Sequence, residues 1–212
     1  MFEILKQATF ETLAMVIVSS FFAVLIGLPI GLILFATKKG SIAENKFLYR
    51  FLDVIINILR SMPFLILMIL VFPLSKLIVG KKIGMVATMV PLSVAAAPFV
   101  GRIMENVFSE IDKGIIEALK SMGATNFEIL KVVLSESKSG VIEAITLTVI
   151  NLIGYSAMAG ALGGGGLGDI AIRYGWNMNQ MDMLMGSVII IVIIVQIVQR
   201  SGNALAEKVN KK

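Results

Sequence analysis

Polar side chains that can bind a small molecule occur at two places in otherwise apolar parts of this sequence. The first place is the pair Arg60 and Ser61. The second lies within the uncharged run 144–168, where the polar or adaptable residues are Asn151, Tyr155, Ser156 and Met158. A few polar groups on an apolar wall are typical of a small-molecule path, and Met offers an adaptable surface. The alternative is that these groups form hydrogen bonds between packed helices.

Several other kinds of chemistry are excluded by residue type. The chain has no Cys and no His, so it has no thiolate metal site, disulfide or imidazole base. It also has no GxxxxGK[ST] loop for ATP phosphates. The run Gly163 to Gly168 satisfies GxGxxG, but no βαβ pattern surrounds it, and we interpret it as a flexible outer turn. We therefore predict a protein that is not an enzyme and needs no cofactor or metal.

The composition is that of an integral membrane protein. Hydrophobic residues make up 57% of the 212 residues, and charged residues only 16%. The net charge of +5 does not indicate nucleic-acid binding, because the cations are scattered at the ends of apolar runs. We predict one all-α transmembrane domain over residues 1–212.

Uncharged runs place five transmembrane helices at about 13–35, 55–75, 83–101, 144–162 and 183–199. The second run, from Ser61 to Ser75, has only fifteen residues, so its helix must begin earlier and include Arg60. Arg60 then either extends to the headgroups or lines a wet path. All five prolines lie in apolar segments, which predicts that spans two and three face the interior of the bundle.

The distribution of Lys and Arg predicts the orientation. With the N-terminus outside, thirteen cations lie on the cytoplasmic side, including the basic loop of Lys38, Lys39, Lys46 and Arg50, and five lie outside. Cytoplasmic loops carry the excess of Lys and Arg, so the charged segment 102–143 and the C-terminus are expected in the cytoplasm.

The charged segment 102–143 carries signals for two short helices. Asp112 is a candidate N-cap, Gly123 a candidate helix end, and Thr125 with Glu128 a capping box. The first helix would carry an apolar ridge of Ile115, Ile116, Leu119 and Met122 outside the bilayer. Such a ridge indicates a partner.

The pattern Glu117-Ala118-Leu119, then Gly123, then Val133 resembles the cytoplasmic "EAA" loop of ABC-importer permeases. Leu119 stands where that family usually has a second Ala, and Ser135-Glu136 where it has Leu-Pro. Two further stretches, 60–64 and 154–158, are similar to the methionine-uptake permeases within that family.

The resemblance implies a type I importer fold and a homodimer in the bacterial inner membrane. It also implies two ATP-binding cassette subunits, a substrate-binding protein outside, and methionine as the substrate. The residues that would couple to the ATPase are Glu117, Ala118, Leu119, Gly123, Ala124 and Thr125.

The sequence agrees with an external energy source, since no Asp or Glu lies in the interior of an apolar run. Two alternatives remain open. One is a stand-alone ion-coupled carrier or channel, and the other is a membrane scaffold that transports nothing.

Overall fold

The computed structural model describes residues 1–210, and all regular structure in that range is helical. The four longest helices carry most of the apolar runs, and shorter helices form the three connections between them. The α-helices are α1 Phe2–Thr37, α2 Lys46–Ser61, α3 Phe64–Val79, α4 Met85–Ser109, α5 Lys113–Ser121, α6 Asn126–Glu136, α7 Lys138–Gly160, α8 Gly166–Ile170 and α9 Met181–Val209. A π-helical turn, Ala171–Asn177, follows α8.

Four of these helices, α1, α4, α7 and α9, are long and apolar enough to cross a membrane. The second predicted span is different, because α2 and α3 meet at an angle of 109°. A continuous helix over 55–75 is therefore wrong. Pro63 explains the break: it has no N–H to donate, and it favours an extended backbone at Met62, which has φ −78° and ψ 132°. Residues 1–210 thus hold five spans only if this bent pair counts as one.

The packing of α1 against α4 forms the centre of the bundle. A Cβ built on Gly27 would lie 2.5 Å from Val100 Cβ, and one built on Gly31 would lie 2.5 Å from Met104 Cβ. The two glycines are one helical turn apart, so together they let the α4 backbone approach closely. Pro91 and Pro98 of α4 are buried, which confirms that span three faces the interior. Pro63 and Pro73 are exposed in the single chain, so the same prediction is wrong for the prolines of span two.

The glycine-rich turn is not the flexible connection that the sequence suggested. Gly166 N–H donates to the Glu11 carboxylate (2.9 Å), and Leu167 N–H donates to the Thr12 hydroxyl (2.9 Å). Leu167 is completely buried. The sequence pattern missed this because the acceptors lie 155 residues away on α1.

Only the middle part of the charged segment 102–143 forms a loop. Its first residues extend α4 to Ser109, and its last residues begin α7 at Lys138. Helices commonly continue beyond the hydrocarbon, and here polar contacts on α4 stabilise that extension. The part outside the long helices, residues 110–137, is called the α5–α6 loop below.

Candidate functional site

A small cavity brings together two of the predicted polar residues, Arg60 and Tyr155. It measures about 150 Å³ and is also lined by Leu59, Met62, Phe64, Leu67, Ala95 and Phe99. The rings of Phe64 and Tyr155 stack with centroids 4.5 Å apart and planes 3° apart. The bend at Pro63 positions this site, since it places Arg60 at the end of α2 beside Phe64 at the start of α3.

Arg60 is exposed, and among residues 1–210 no carboxylate lies within ion-pairing distance of it. Arg60 belongs to α2, as the length argument predicted. An unpaired guanidinium beside an aromatic wall offers a planar set of donors to a carboxylate.

An exposed stripe runs along α7. It consists of Leu147, Asn151, Gly154 and Met158, spaced as one face of a helix. Asn151 and Gly154 are poor residues for a lipid-facing surface but common where two membrane helices meet. Two of the predicted path residues, Asn151 and Met158, therefore lie on an open face of the chain.

The remaining two predicted path residues, Ser61 and Ser156, lie outside both features. Ser156 is buried, and its hydroxyl donates to Ile153 O in its own helix (2.8 Å). Ser61 is exposed and donates to Ile58 O (2.8 Å).

The α5–α6 loop has the helix ends that its sequence predicted. The Asp112 carboxylate accepts from Gly114 N–H (2.8 Å) at the start of α5. Gly123 has φ +79°, in the left-handed region that glycine adopts without strain. Thr125 N–H donates to the Glu128 carboxylate (2.7 Å), and the Thr125 hydroxyl donates to the same oxygen (2.8 Å). These bonds, the backbone one first, hold the pKa of Glu128 below its usual range.

The predicted apolar ridge on α5 divides between two directions. Ile116 and Leu119 pack against the main core, and they are therefore not part of an open ridge. The outward side consists of Ala118 and Met122 together with Phe127, which is the second residue of α6 and is 67% exposed. Sequence reasoning missed Phe127, although an aromatic residue two positions after a capping Thr was a visible signal. Glu117, Gly123 and Thr125 are exposed, and Ala124 is half-buried.

A polar network between α2 and α4 was also missed. Arg102 forms ion pairs with Asp53 and with Glu105 (2.6 Å), and the Tyr49 hydroxyl donates to Glu105 (3.1 Å). Glu105 is almost fully buried. The pairing is not visible in sequence because Asp53 and Arg102 are 49 residues apart. The network fixes the orientation of α2 on the bundle.

Together these features describe a membrane-spanning helical bundle with a small polar-aromatic cavity and a structured loop outside its long helices. The family model for the inner membrane component of binding-protein-dependent transport systems matches residues 27–212, and this chain belongs to that family.

Similar proteins carry a narrower description. A probable D-methionine transport system permease protein, MetI, of Pasteurella multocida is 51% identical, over 97% of this chain and 95% of that protein. The protein of the same description from Vibrio cholerae is 43% identical, over 99% of this chain and 94% of that protein. Among solved structures, the inward-facing MetNI methionine ABC transporter has a chain that is 43% identical, with a TM-score of 0.97 over 100% of this chain and 98% of that one.

The family match confirms the resemblance drawn from the Glu117 to Gly123 pattern. The structural match confirms the all-helical permease fold. Membership in a transport family also agrees with the prediction that the chain is not an enzyme, and it places the chain in the bacterial inner membrane.

Proposed function

We propose that this chain is the permease subunit of an ATP-driven methionine importer. Two copies form the path across the inner membrane, two ATP-binding cassette subunits supply the energy, and a substrate-binding protein outside delivers methionine. The observation that carries this proposal is the structural match over the whole chain to a methionine ABC transporter, together with 51% identity to a D-methionine permease.

The α5–α6 loop is the part that receives the movement of the ATPase. Its outward side, Ala118, Met122 and Phe127, is an apolar surface outside the long helices. Its inward side, Ile116 and Leu119, packs on the same core as α4 and α7. A displacement of α5 by a partner is therefore passed to the membrane helices through close packing.

The sharp end of α5 at Gly123 fixes the position of the outward side. Gly123 and Thr125 end one helix and begin the next within five residues, so α5 and α6 keep a defined angle. Glu117, Ala124 and Thr125 flank this corner, and we assign all six predicted coupling residues to it, with Leu119 as the inward anchor.

The cavity at Arg60 suits an amino acid with an apolar, sulfur-containing side chain. The Arg60 guanidinium is available for the substrate carboxylate, while Met62, Phe64 and Tyr155 offer soft and aromatic surfaces to a thioether. Sulfur–aromatic contacts contribute about 0.3–1.5 kcal/mol each, enough to favour methionine over an unbranched aliphatic analogue. Ser61 does not line this cavity, although it lies between two lining residues, Arg60 and Met62.

The stripe on α7 is where the second copy packs and where the path continues. Asn151, Gly154 and Met158 have no neighbour from their own chain to cover them. A two-fold axis along this stripe brings the two Asn151 and Met158 side chains to opposite walls of one path. Ser156, on the buried side, holds the α7 backbone in place.

The N-terminus lies outside and the C-terminus in the cytoplasm. The bias of Lys and Arg, thirteen against five, supports this orientation. Because the chain has no Cys, single cysteines can report it directly. In intact cells a membrane-impermeant maleimide is expected to label Met178→Cys and to label Met122→Cys only after permeabilisation. The opposite pattern would reverse the orientation.

The function is tested by reconstitution in liposomes. Uptake of labelled methionine is expected only when the ATP-binding subunits, the binding protein and ATP are all present. Flux through the chain alone would instead support a stand-alone carrier or channel. If substrate never crosses with every partner present, the chain is a scaffold and the proposal fails.

A further inference from the structure

A second cavity, of about 400 Å³, lies between the end of α1 and the start of the α5–α6 loop. It is distinct from the Arg60 cavity and shares no residue with it. Its walls are the turn after α1 and one side of α5. The turn is well defined, since Ser41 N–H donates to Lys38 O (3.0 Å) and Gly40 between them has φ +76°.

This cavity is strongly basic. Four lysines line it, Lys38, Lys39, Lys113 and Lys120, together with one carboxylate, Glu117, while a second carboxylate, Glu44, accepts from Gly40 N–H (2.9 Å) in the same turn. None of the four takes part in an ion pair with any residue in 1–210. Charge of one sign on the walls of a concave surface concentrates field there and attracts a counter-ion.

Two hydrogen-bonding groups in the cavity support an anion as that counter-ion. Lys120 Nζ donates to Ser41 O (3.2 Å), which directs its ammonium group toward the turn after α1. The Ser41 hydroxyl is buried and has no partner among the described residues. A buried unpaired hydroxyl is unfavourable, and an acceptor oxygen in the cavity would satisfy it.

We propose that this cavity binds a phosphate group, held by Lys38, Lys39 and Lys113 with the Ser41 hydroxyl. Phosphate carries the charge and the several acceptor oxygens that three ammonium groups and a hydroxyl require. The site lies where α1, a membrane-spanning helix, ends, so the headgroup of an anionic phospholipid can reach it. A free inorganic phosphate has the same chemistry. The experiment separates the two sources.

The test compares three proteins in detergent: the native chain, the cavity variant Lys38→Gln, Lys39→Gln and Lys113→Gln, and a control variant. The control, Lys138→Gln, Arg200→Gln and Lys208→Gln, removes the same charge from residues that lie outside the cavity. Native mass spectrometry measures bound phosphatidylglycerol against zwitterionic phosphatidylcholine. Phosphorus NMR line broadening measures bound inorganic phosphate.

The cavity variant is expected to lose about a hundredfold in affinity, at roughly fivefold per lysine, while the control changes little. Replacing the same three lysines with Arg should retain binding, which shows that loss in the Gln variant is not loss of folding. If the protein binds phosphatidylglycerol in preference to phosphatidylcholine, and inorganic phosphate does not displace the bound lipid, the ligand is a lipid headgroup. Binding of inorganic phosphate without lipid preference identifies a free anion. Equal loss in both Gln variants, or no binding of either probe, overturns the proposal.

Discussion

The ring of Tyr155 on α7 stacks directly on the ring of Phe64 at the start of α3, with the two planes only 3° from parallel. This contact joins the helix that carries the open stripe to the helix that follows the Pro63 bend. It also forms the aromatic wall of the Arg60 cavity. Movement of either helix therefore changes the shape of the cavity.

The first prediction concerns Tyr155. Tyr155→Ala removes the stacked ring and should lower methionine uptake by about tenfold, since an aromatic pair contributes about 0.5–1.5 kcal/mol beyond its buried area. Tyr155→Phe keeps the ring and is expected to retain uptake. The measurement is initial uptake by the full complex in proteoliposomes. If the Phe variant were as defective as the Ala variant, the hydroxyl would be the important group and the stacking would not.

The corner of the α5–α6 loop gives the second prediction. A Cβ on Gly123 would meet nothing within 4 Å, so the cost of substitution comes only from its left-handed backbone. Gly123→Val should cost about 1–2 kcal/mol locally, displace the corner and abolish ATP-driven uptake. Gly123→Asn is the matched control, since Asn tolerates this conformation. Both variants should insert equally in the membrane, and normal uptake by the Val variant would contradict the coupling role.

The third prediction tests the close approach of α1 and α4. Gly27→Ala places a methyl group 2.5 Å from Val100 Cβ and 2.7 Å from Ala97 O, so the helices must separate. We expect a loss of about 1–3 kcal/mol in the free energy of unfolding. Gly186→Ala on α9 is the control, because only a terminal methyl of the flexible Leu5 side chain lies as close as 3.0 Å. Thermal denaturation in detergent measures both, and equal melting temperatures would refute the packing argument.

The fourth prediction concerns the network that fixes α2. Arg102→Met leaves the buried Glu105 carboxylate without its ion-pair partner, which typically costs about 3–5 kcal/mol. Adding Glu105→Gln should recover much of that loss, since a neutral amide can still bond to Tyr49. Denaturation of the two variants gives the comparison. Failure of the second change to recover any stability would show that the arginine acts through packing alone.

The fifth prediction is a pH dependence of the start of α6. The folded-state pKa of Glu128 is lowered by its bonds from Thr125, so the capping box is fully stabilising above the ordinary glutamate pKa of about 4.3. That stability is lost as the pH falls through the lower, folded-state pKa. Hydrogen exchange of amides 126–129, corrected for intrinsic rates, should show loss of protection in acid. Glu128→Gln does not titrate and should show no such step; a step of the same size in that variant would point to another group.

Local features of the chain were predictable from sequence, whereas contacts between distant segments were not. The caps at Asp112 and Thr125 followed from residues two or three positions apart, and the structure confirms them. The break at Pro63 was also a local signal. The break was missed because the prediction considered only the helix length needed to cross the membrane. It did not consider the extended backbone that Pro63 imposes on Met62.

The candidate sites divide in the same way. Asn151, Tyr155 and Met158 were predicted as path residues, and the structure shows Asn151 and Met158 exposed while Tyr155 lines the Arg60 cavity. Helical spacing predicted a single apolar ridge on α5, but Ile116 and Leu119 pack against the core and are not part of an open ridge. No sequence pattern connects Arg60 with Tyr155, or Lys113 with Lys38, because only the fold brings these pairs into one cavity.

The two bonds from α1 to the glycine-rich turn also set an order of events during synthesis. Glu11 and Thr12 precede Gly166 and Leu167 in the chain by 155 residues. Until the ribosome has added Gly166 and Leu167, the α1 segment at Glu11 and Thr12 lacks both of these hydrogen bonds. A nascent chain stalled before Gly166 therefore cannot make the two contacts that join this turn to α1, and these contacts form only after the turn has been synthesised.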